Sequence, residues 1–365
     1  MTELAGLFPE EMLAWAKEEG LPAFRGKQIF QWIHRGADFD EMTNLPGTLR
    51  ESLKEKAVAQ PVRIELTRIS SLDGTVKFLF GLRDGNCVEG VLMKYHYGWS
   101  LCVSTQVGCR MGCRFCASTL EGRIRNLTAG EMLGEVLAAN RYLRETPTAG
   151  LRPGDTPAAM GEETPRKVSH IVLMGSGEPL ENYDETMRFL RLLREEEGLG
   201  MSPRNISLST CGLVPEMRRL AEEGLPVTLC VSLHAPNDAI RKKLMPIANR
   251  YSMAEILEAC RYYLEKTGRR VIFEYALVEG VNSSPEDAEE LAERLRGLQC
   301  HVNLIPLNAV AERDLKGVTE KTVQRFLHTL EAKRISATRR REMGDDIEGA
   351  CGQLRRKSHA EIQTD

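Results

Sequence analysis

Leu101-Cys-Val-Ser-Thr-Gln-Val-Gly-Cys-Arg-Met-Gly-Cys-Arg-Phe-Cys-Ala117 carries the deciding pattern of this chain. Its first residues, Leu101–Thr105, read as a short apolar strand. That strand runs into three cysteines, Cys109, Cys113 and Cys116, spaced C-x3-C-x2-C. Three thiolates from one turn suit an iron–sulfur cluster better than a zinc ion. A [4Fe–4S] cluster held by cysteine normally takes four ligands, so three leave one iron open to a small molecule. A closed zinc site also wants four N or S ligands, and no second C-x2-C or H-x3-H arm occurs in the sequence. Gly108 and Gly112 let the backbone bend around such a site, because glycine tolerates positive φ.

Outward from this stretch the chain alternates strand and helix. Further strands are predicted at Val168–Met174, Asn205–Thr210, Val227–Leu233, Val271–Val278 and His301–Pro306. The amphipathic segments Thr128–Arg144, Asp184–Glu196, Pro215–Glu223, Met253–Lys266, Pro285–Leu298 and Glu320–Lys333 read as helices. Thr128-Ala-Gly-Glu131 is a capping box that starts the first of these. The alternation predicts an α/β fold, a parallel sheet covered by helices. Six units are too few for an eightfold barrel, so an open, partial (βα)6 barrel is expected.

Upstream, residues 1–60 read as a small helical module, with Ile29, Phe30 and Ile33 on one face. Arg63–Ser70, Thr75–Leu82 and Asn86–Tyr95 read as strands joined at the turn signals Asp73-Gly74 and Asp84-Gly85. The expected organisation is a helical module (1–60), a β extension (61–96), a barrel (97–342) and a C-terminal loop (343–365). Residues 145–167, rich in Pro, Thr and Gly without apolar period, read as an exposed, mobile insertion on the rear of the barrel.

Over 365 residues the hydrophobic content is 42%, the charged content 28% and the net charge −3. These values are ordinary for a globular protein. No apolar stretch approaches the roughly 20 residues of a membrane helix, and the N-terminus lacks the pattern of a secretory leader. Ten cysteines scattered over this length fit reduced cytoplasmic thiols rather than a secreted disulfide scaffold. Net charge gives no hint of nucleic acid. Local basic groups do occur at Arg241–Lys243, at Lys333, Arg334 and Arg339–Arg341, and at Arg355–Lys357.

In α/β barrels ligands bind at the C-terminal ends of the strands, and five polar motifs fall there. The cysteine loop follows the first strand, Gly175-Ser-Gly-Glu-Pro179 the second, Ser209-Thr-Cys-Gly212 the third, Ser232-Leu-His234 the fourth and Pro306-Leu-Asn308 the last. A turn such as Gly175–Glu178 brings bare backbone to a ligand, and its carboxylate suits a cationic amino group. Ser209, Ser232, His234 and Asn308 offer further donors and acceptors. Beyond the barrel, Cys351 sits among Gly349, Ala350 and Gly352, outside any apolar period. It reads either as a nucleophile or redox partner, its thiolate favoured by nearby arginines and opposed by Asp345, Asp346 and Glu348, or as a bystander cysteine.

Together these segments resemble the radical S-adenosylmethionine RNA adenine-C2 methyltransferases of bacteria. The resemblance runs in order through Leu101–Cys116, Arg125-Asn-Leu-Thr-Ala-Gly-Glu131, Gly175–Pro179, Ser232-Leu-His-Ala-Pro-Asn-Asp238 and Ala350-Cys-Gly-Gln-Leu354. Phe24-Arg-Gly-Lys-Gln-Ile-Phe-Gln-Trp-Ile33 is similar to the family's accessory RNA-binding domain. The resemblance implies a [4Fe–4S] cluster on Cys109, Cys113 and Cys116. It implies S-adenosylmethionine contacts at Gly177, Glu178, Ser209, Ser232, Leu233, His234 and Asn308, with two cofactor molecules used per turnover. Cys351 matches the cysteine that is methylated and Cys102 the thiol that resolves the covalent adduct. Glu89 matches an assigned proton acceptor, and either Glu89 or Cys102 takes the C2 proton. Ser176 departs from the methionine common among relatives, and the 145–167 insertion is long; neither touches a ligand position.

The implied substrates are 23S rRNA and transfer RNA, and the implied partner is an electron donor such as flavodoxin or ferredoxin. A monomer without membrane attachment is expected. The resemblance favours C2 over the sibling enzymes that methylate adenine C8. A non-enzymatic RNA-binding protein with a structural metal would purify anaerobically without iron and loaded with zinc, and a radical enzyme acting on a peptide or small molecule would leave Cys351 and the basic runs without a role.

Overall fold

The computed structural model describes residues 1–152, 166–308, 310–350, 352–353 and 357–358. The N-terminal module comprises β1 (Thr2–Glu3), α1 (Pro9–Glu18), α2 (Ala23–His34), α3 (Gly47–Lys56) and β2 (Ala57–Val58). It has its own core, where Met12, Trp15, Ile29, Phe30, Ile33 and Leu53 meet. Next come β3 (Val62–Ile69), β4 (Val76–Leu82) and β5 (Asn86–Tyr95), an antiparallel meander turning where expected, with Gly74 and Gly85 at φ +74° and +83°.

The barrel begins at β6 (Gly98–Cys102), followed by a small hairpin of β7 (Gln106–Gly108) and β8 (Arg123–Asn126). The alternation then runs α4 (Ala129–Glu145), β9 (Val168–Leu173), α5 (Tyr183–Arg194), β10 (Ile206–Thr210), α6 (Val214–Glu222) and β11 (Thr228–Ser232). It continues through α7 (Asp238–Leu244), α8 (Met253–Thr267), β12 (Val271–Leu277), α9 (Pro285–Leu295), β13 (Cys300–Pro306), α10 (Glu320–Ala332) and β14 (Ala337–Arg339). A last strand, β15 (Lys357–Ser358), pairs with β5.

The parallel strands lie in chain order, β6-β9-β10-β11-β12-β13-β14, as an open barrel. Two features differ from expectation. β14 adds a seventh parallel strand, too short to show a period of its own. The β extension is also no separate linker, since β5 pairs antiparallel with β6 and makes one continuous sheet.

The helices cover the outer face of this sheet. Strand alternation sends Leu208, Leu229, Phe273 and Leu304 outward to Phe189, Met217, Tyr263 and Phe326, all fully or almost fully buried. The neighbouring residues Ser207, Ser209, Ser232, Glu274 and Asn303 therefore face inward, and they bring polar groups into the barrel interior beside a small apolar cluster of Val91, Met93, Val172, Met174 and Met343. The capping box forms as expected: the Glu131 N–H donates to Thr128 Oγ1 and the Thr128 N–H to the Glu131 carboxylate, both at 3.0 Å. Among the described residues no helix is long and apolar enough to cross a membrane.

Candidate active site

Cys109 follows β7, and the chain can turn there only because of Gly108. That residue sits at φ +75°, and a Cβ on it would lie 2.0 Å from the Gly122 carbonyl oxygen. The loop is held at several points. The Cys109 N–H donates to the Ser118 carbonyl at 2.9 Å, and Thr119 Oγ1 donates to the carbonyls of Cys113 and Cys116 at 3.1 and 2.9 Å. Arg114 N–H reaches the Leu244 carbonyl at the end of α7.

Cys109, Cys113 and Cys116 line one cavity, together with Gly175, Gly177, Glu178, Ser209, Ser232, His234 and Asn308. Its empty volume is about 940 Å³, part of it open to solvent, within the roughly 300–1,000 Å³ usual for cofactor pockets. Three cysteine thiols lining one cavity suit a cluster, where each binds a different iron. Burial pushes the Cys109 thiol up to about 12 and the Cys113 thiol well up, with neighbouring thiols adding to both. A donor set whose thiolates are disfavoured by burial is one that a bound cation stabilises.

On the second rim segment, Cβ atoms on Gly175 and Gly177 would lie 2.7 Å from Val103 O and Gln106 Cβ, so only glycine fits. The buried Glu178 carboxylate accepts backbone N–H groups of Cys211 (2.7 Å) and Leu180 (3.1 Å), while burial raises its pKa. It is thus partly spent on structure, though a carboxylate has acceptor sites to spare.

Ser209 and Ser232 approach to 3.4 Å between hydroxyl oxygens. His234 adopts φ +53° and is buried, and burial followed by Arg241 lowers its pKa to about 3. Its Nδ1 accepts the Ala276 N–H at 2.8 Å, so the neutral ring carries its proton on Nε2. Its edge packs on Phe115 of the cysteine loop, with centroids 4.8 Å apart.

A second, smaller cavity adjoins the first through Ile305, Asn308 and Arg340, which line both. Cys102, Met343 and Ala350 line this second space. Gly352 lines the first, its carbonyl accepting the Ala117 N–H at 2.8 Å. Cys351 lies outside the described residues. Glu89 is on β5, in a separate small cavity with Lys77 and Glu348; Lys77 Nζ lies 3.0 Å from its carboxylate.

The sequence model of the radical SAM superfamily matches residues 103–295, more than half of the chain. That of the ribosomal RNA large subunit methyltransferase N-terminal domain matches residues 2–59. The "probable dual-specificity RNA methyltransferase RlmN" of Alkaliphilus oremlandii is 52% identical over 339 residues, 93% of each chain. The protein of the same description from Lachnospira eligens is 48% identical over 367 residues, covering 99% of this chain and 98% of its own. The crystal structure of a radical SAM methyltransferase from Sphaerobacter thermophilus superposes with a TM-score of 0.89 at 44% identity, covering 97% of this chain and 99% of that one. The chain belongs to the radical S-adenosylmethionine RNA methyltransferase family.

Members of this family work with S-adenosylmethionine and a [4Fe–4S] cluster held by three cysteines. The cavity chemistry fits both, with three thiols on one wall and a glycine-only cradle beside them. Among the predicted contacts, Leu233 has its side chain fully buried in the outer core and its N–H donated to the Glu274 carbonyl, so only its backbone carbonyl is left to meet a ligand. The basic group at 241–243 also divides. Lys242 and Lys243 are exposed, whereas Arg241 is fully buried, donating to the Cys211 carbonyl at 2.6 Å beneath the cavity. Arg340 leaves the C-terminal basic run to point inside, 3.4 Å from Glu274. Sequence reasoning missed Arg340, Glu274 and Gln106. Gln106 Oε1 accepts the Glu178 N–H at 3.0 Å and ties the cysteine strand to the glycine turn. Strand periodicity does mark Glu274 as inward-facing, and that signal was available.

Proposed function

We propose that this chain methylates C2 of adenine 2503 in 23S rRNA and C2 of adenine 37 in transfer RNAs. The observation that supports it is the adjacency of two spaces. One carries Cys109, Cys113, Cys116 and the glycine cradle, and the other carries Cys102 beside Ala350, the residue before Cys351.

Adenine C2 is an electron-poor carbon and does not attack a sulfonium methyl, so the methyl carbon must first be held on the protein. When bound on Cys109, Cys113 and Cys116, the cluster supplies the electron that turns S-adenosylmethionine into a radical source. Gly177, Glu178, Ser209, Ser232, His234 and Asn308 hold the cofactor's polar ends, His234 as a neutral Nε2–H donor. Cys351 carries the methyl carbon as a thioether, which is covalent catalysis. After carbon–carbon bond formation the radical adduct would return one electron to the electron-transfer centre, and Glu89 or Cys102 takes the C2 proton. The Cys102 thiolate then attacks the Cys351 sulfur; the sulfur–carbon bond breaks with its pair on carbon, which takes up a proton to give methyladenine, and two electrons from external reductant reopen the Cys102–Cys351 disulfide left behind.

The target base must leave its stack to enter, and the exposed Lys333, Arg334, Arg339 and Arg341 suit phosphate. The reading includes a flavodoxin- or ferredoxin-type electron donor, a monomeric state and the reducing cytoplasm that these thiols need. Anaerobic reconstitution with iron and sulfide, then assay on unmodified 23S rRNA and transfer RNA fragments with labelled methyl donor, tests it. C2-methyladenosine is the expected nucleoside; C8-methyladenosine, or no methylated nucleoside, overturns the reading.

A further inference from the structure

Lys77 is the one charged residue of β4, Val-Lys-Phe-Leu-Phe-Gly-Leu, a strand buried along its whole length. A charge in such a strand breaks the local pattern, and such breaks mark functional or strained sites. Its side chain is 6% exposed and that of Glu89 5%, with Nζ 3.0 Å from Glu89 Oε1. The same Nζ donates to the Glu348 carbonyl at 3.0 Å.

Glu348 holds φ +53°, a conformation that a non-glycine residue keeps only when its surroundings enforce it. It belongs to Met343–Ala350, the segment that leads in sequence to Cys351. This segment is fastened to the β3–β4 hairpin. The Gly344 N–H donates to Asp73 Oδ2 at 3.0 Å, and Asp346 Oδ2 accepts both the Ser71 N–H and the Ser71 hydroxyl at 2.8 Å.

We infer that Lys77 is a positioning residue that locks Glu89 to the segment carrying the methyl-acceptor cysteine, so that proton acceptor and methyl carrier keep one register against the base. This rests on the function proposed above. An ammonium held by a carboxylate on one side and a carbonyl on the other fixes both at once. A neutral side chain of the same length does not.

The test uses the full-length, cluster-loaded enzyme with Lys77→Met and Lys77→Arg. Hydrogen–deuterium exchange across residues 343–350 is compared with that across the barrel strands, and 5′-deoxyadenosine formed is counted per methyladenine formed. For Lys77→Met we expect exchange at 343–350 to rise about tenfold, the factor one lost charge-assisted bond is worth, with barrel strands unchanged. The ratio of deoxyadenosine to methyladenine should rise by a similar factor, and Lys77→Arg should recover part of it. A lysine that merely stabilises the fold would lower the yield of active enzyme and leave that ratio at its wild-type value, and such a result overturns the inference. Should Lys77→Met fail to fold, Asp346→Ala combined with Asp73→Ala cuts the remaining fastenings at the exposed turn. Faster exchange with a raised ratio then supports the inference, and wild-type values for both refute it. If the wild-type enzyme forms deoxyadenosine but methylates no RNA, the functional reading fails, while the exchange comparison still decides the fastening.

Discussion

Gly108 and Gly122 face each other across the base of the cysteine loop, and the same substitution at each separates strain from collision. Both hold left-handed backbone, at φ +75° and +69°. An alanine in that region costs about 1–2 kcal/mol. Gly122 has nothing within 4 Å of an added Cβ, so Gly122→Ala should cost that much and no more. At Gly108 the Cβ would stand 2.0 Å from the Gly122 carbonyl oxygen, and the obstacle is backbone, which cannot rotate aside. Overpacking adds roughly 1–3 kcal/mol, giving about 2–5 kcal/mol for Gly108→Ala. Relief requires the β7–β8 pairing to open at Gly108 and Arg123, and Cys109 is the next residue. The assay is iron and sulfide per chain after anaerobic reconstitution, with thermal melting alongside. The excess of roughly 1–3 kcal/mol at Gly108 should make cluster retention in Gly108→Ala about 5- to 150-fold poorer than in Gly122→Ala, since each 1.4 kcal/mol is a factor of ten. Equal iron content and equal melting in the two variants would show that the close approach does not shape the loop.

Cys351→Ala should abolish RNA methylation while leaving cofactor cleavage measurable, whereas Cys102→Ala should accumulate a protein–RNA adduct visible on a denaturing gel; clean turnover by either variant argues against its role. His34 is buried, neither ring nitrogen has a hydrogen-bond partner among the described residues, and burial lowers its pKa to about 4. The unfolded chain therefore binds more protons than the folded one between pH 6.5 and 4, and stability falls as pH drops through that window. Roughly 2–4 kcal/mol should be lost there, and His34→Phe should flatten this part of the denaturant-melt profile relative to wild type. Stripping iron from loaded enzyme with a chelator should lower the melting temperature, because a ligand bound only by the folded state stabilises it; an unchanged melt would place the iron elsewhere.

The barrel and most of its rim were legible because period and punctuation agreed. β9, β10, β12 and β13 lie within a residue or so of their predicted bounds, and Ser252 and Thr128 cap the helices they precede. The first strand was placed three residues late. The N–H groups of Thr105 and Gln106 leave the ladder for the Ser176 carbonyl, a tertiary bond that no local pattern foretells. α7 was missed because seven residues give too little period and because Arg241–Lys243 looked like solvent-facing charge. Burial of Arg241 depends on the backbone carbonyls of Cys211, in a loop, and of Ser232, at the end of β11, and Arg340 likewise reads as one more surface cation until Glu274 is brought opposite it. Long-range pairings of this sort decide where a charge goes, and composition cannot.

The join between β5 and β6 has a manufacturing consequence. Cys102 has Val91 on one side and Val172 on the other, at the line where antiparallel ribbon meets parallel wall. A fragment trimmed to begin at residue 97 would strip one flank of β6 bare, leaving a ready template for strand addition between copies. Such a minimal catalytic piece should clump on expression, and any truncation meant to yield crystals or a smaller catalyst must keep the meander attached.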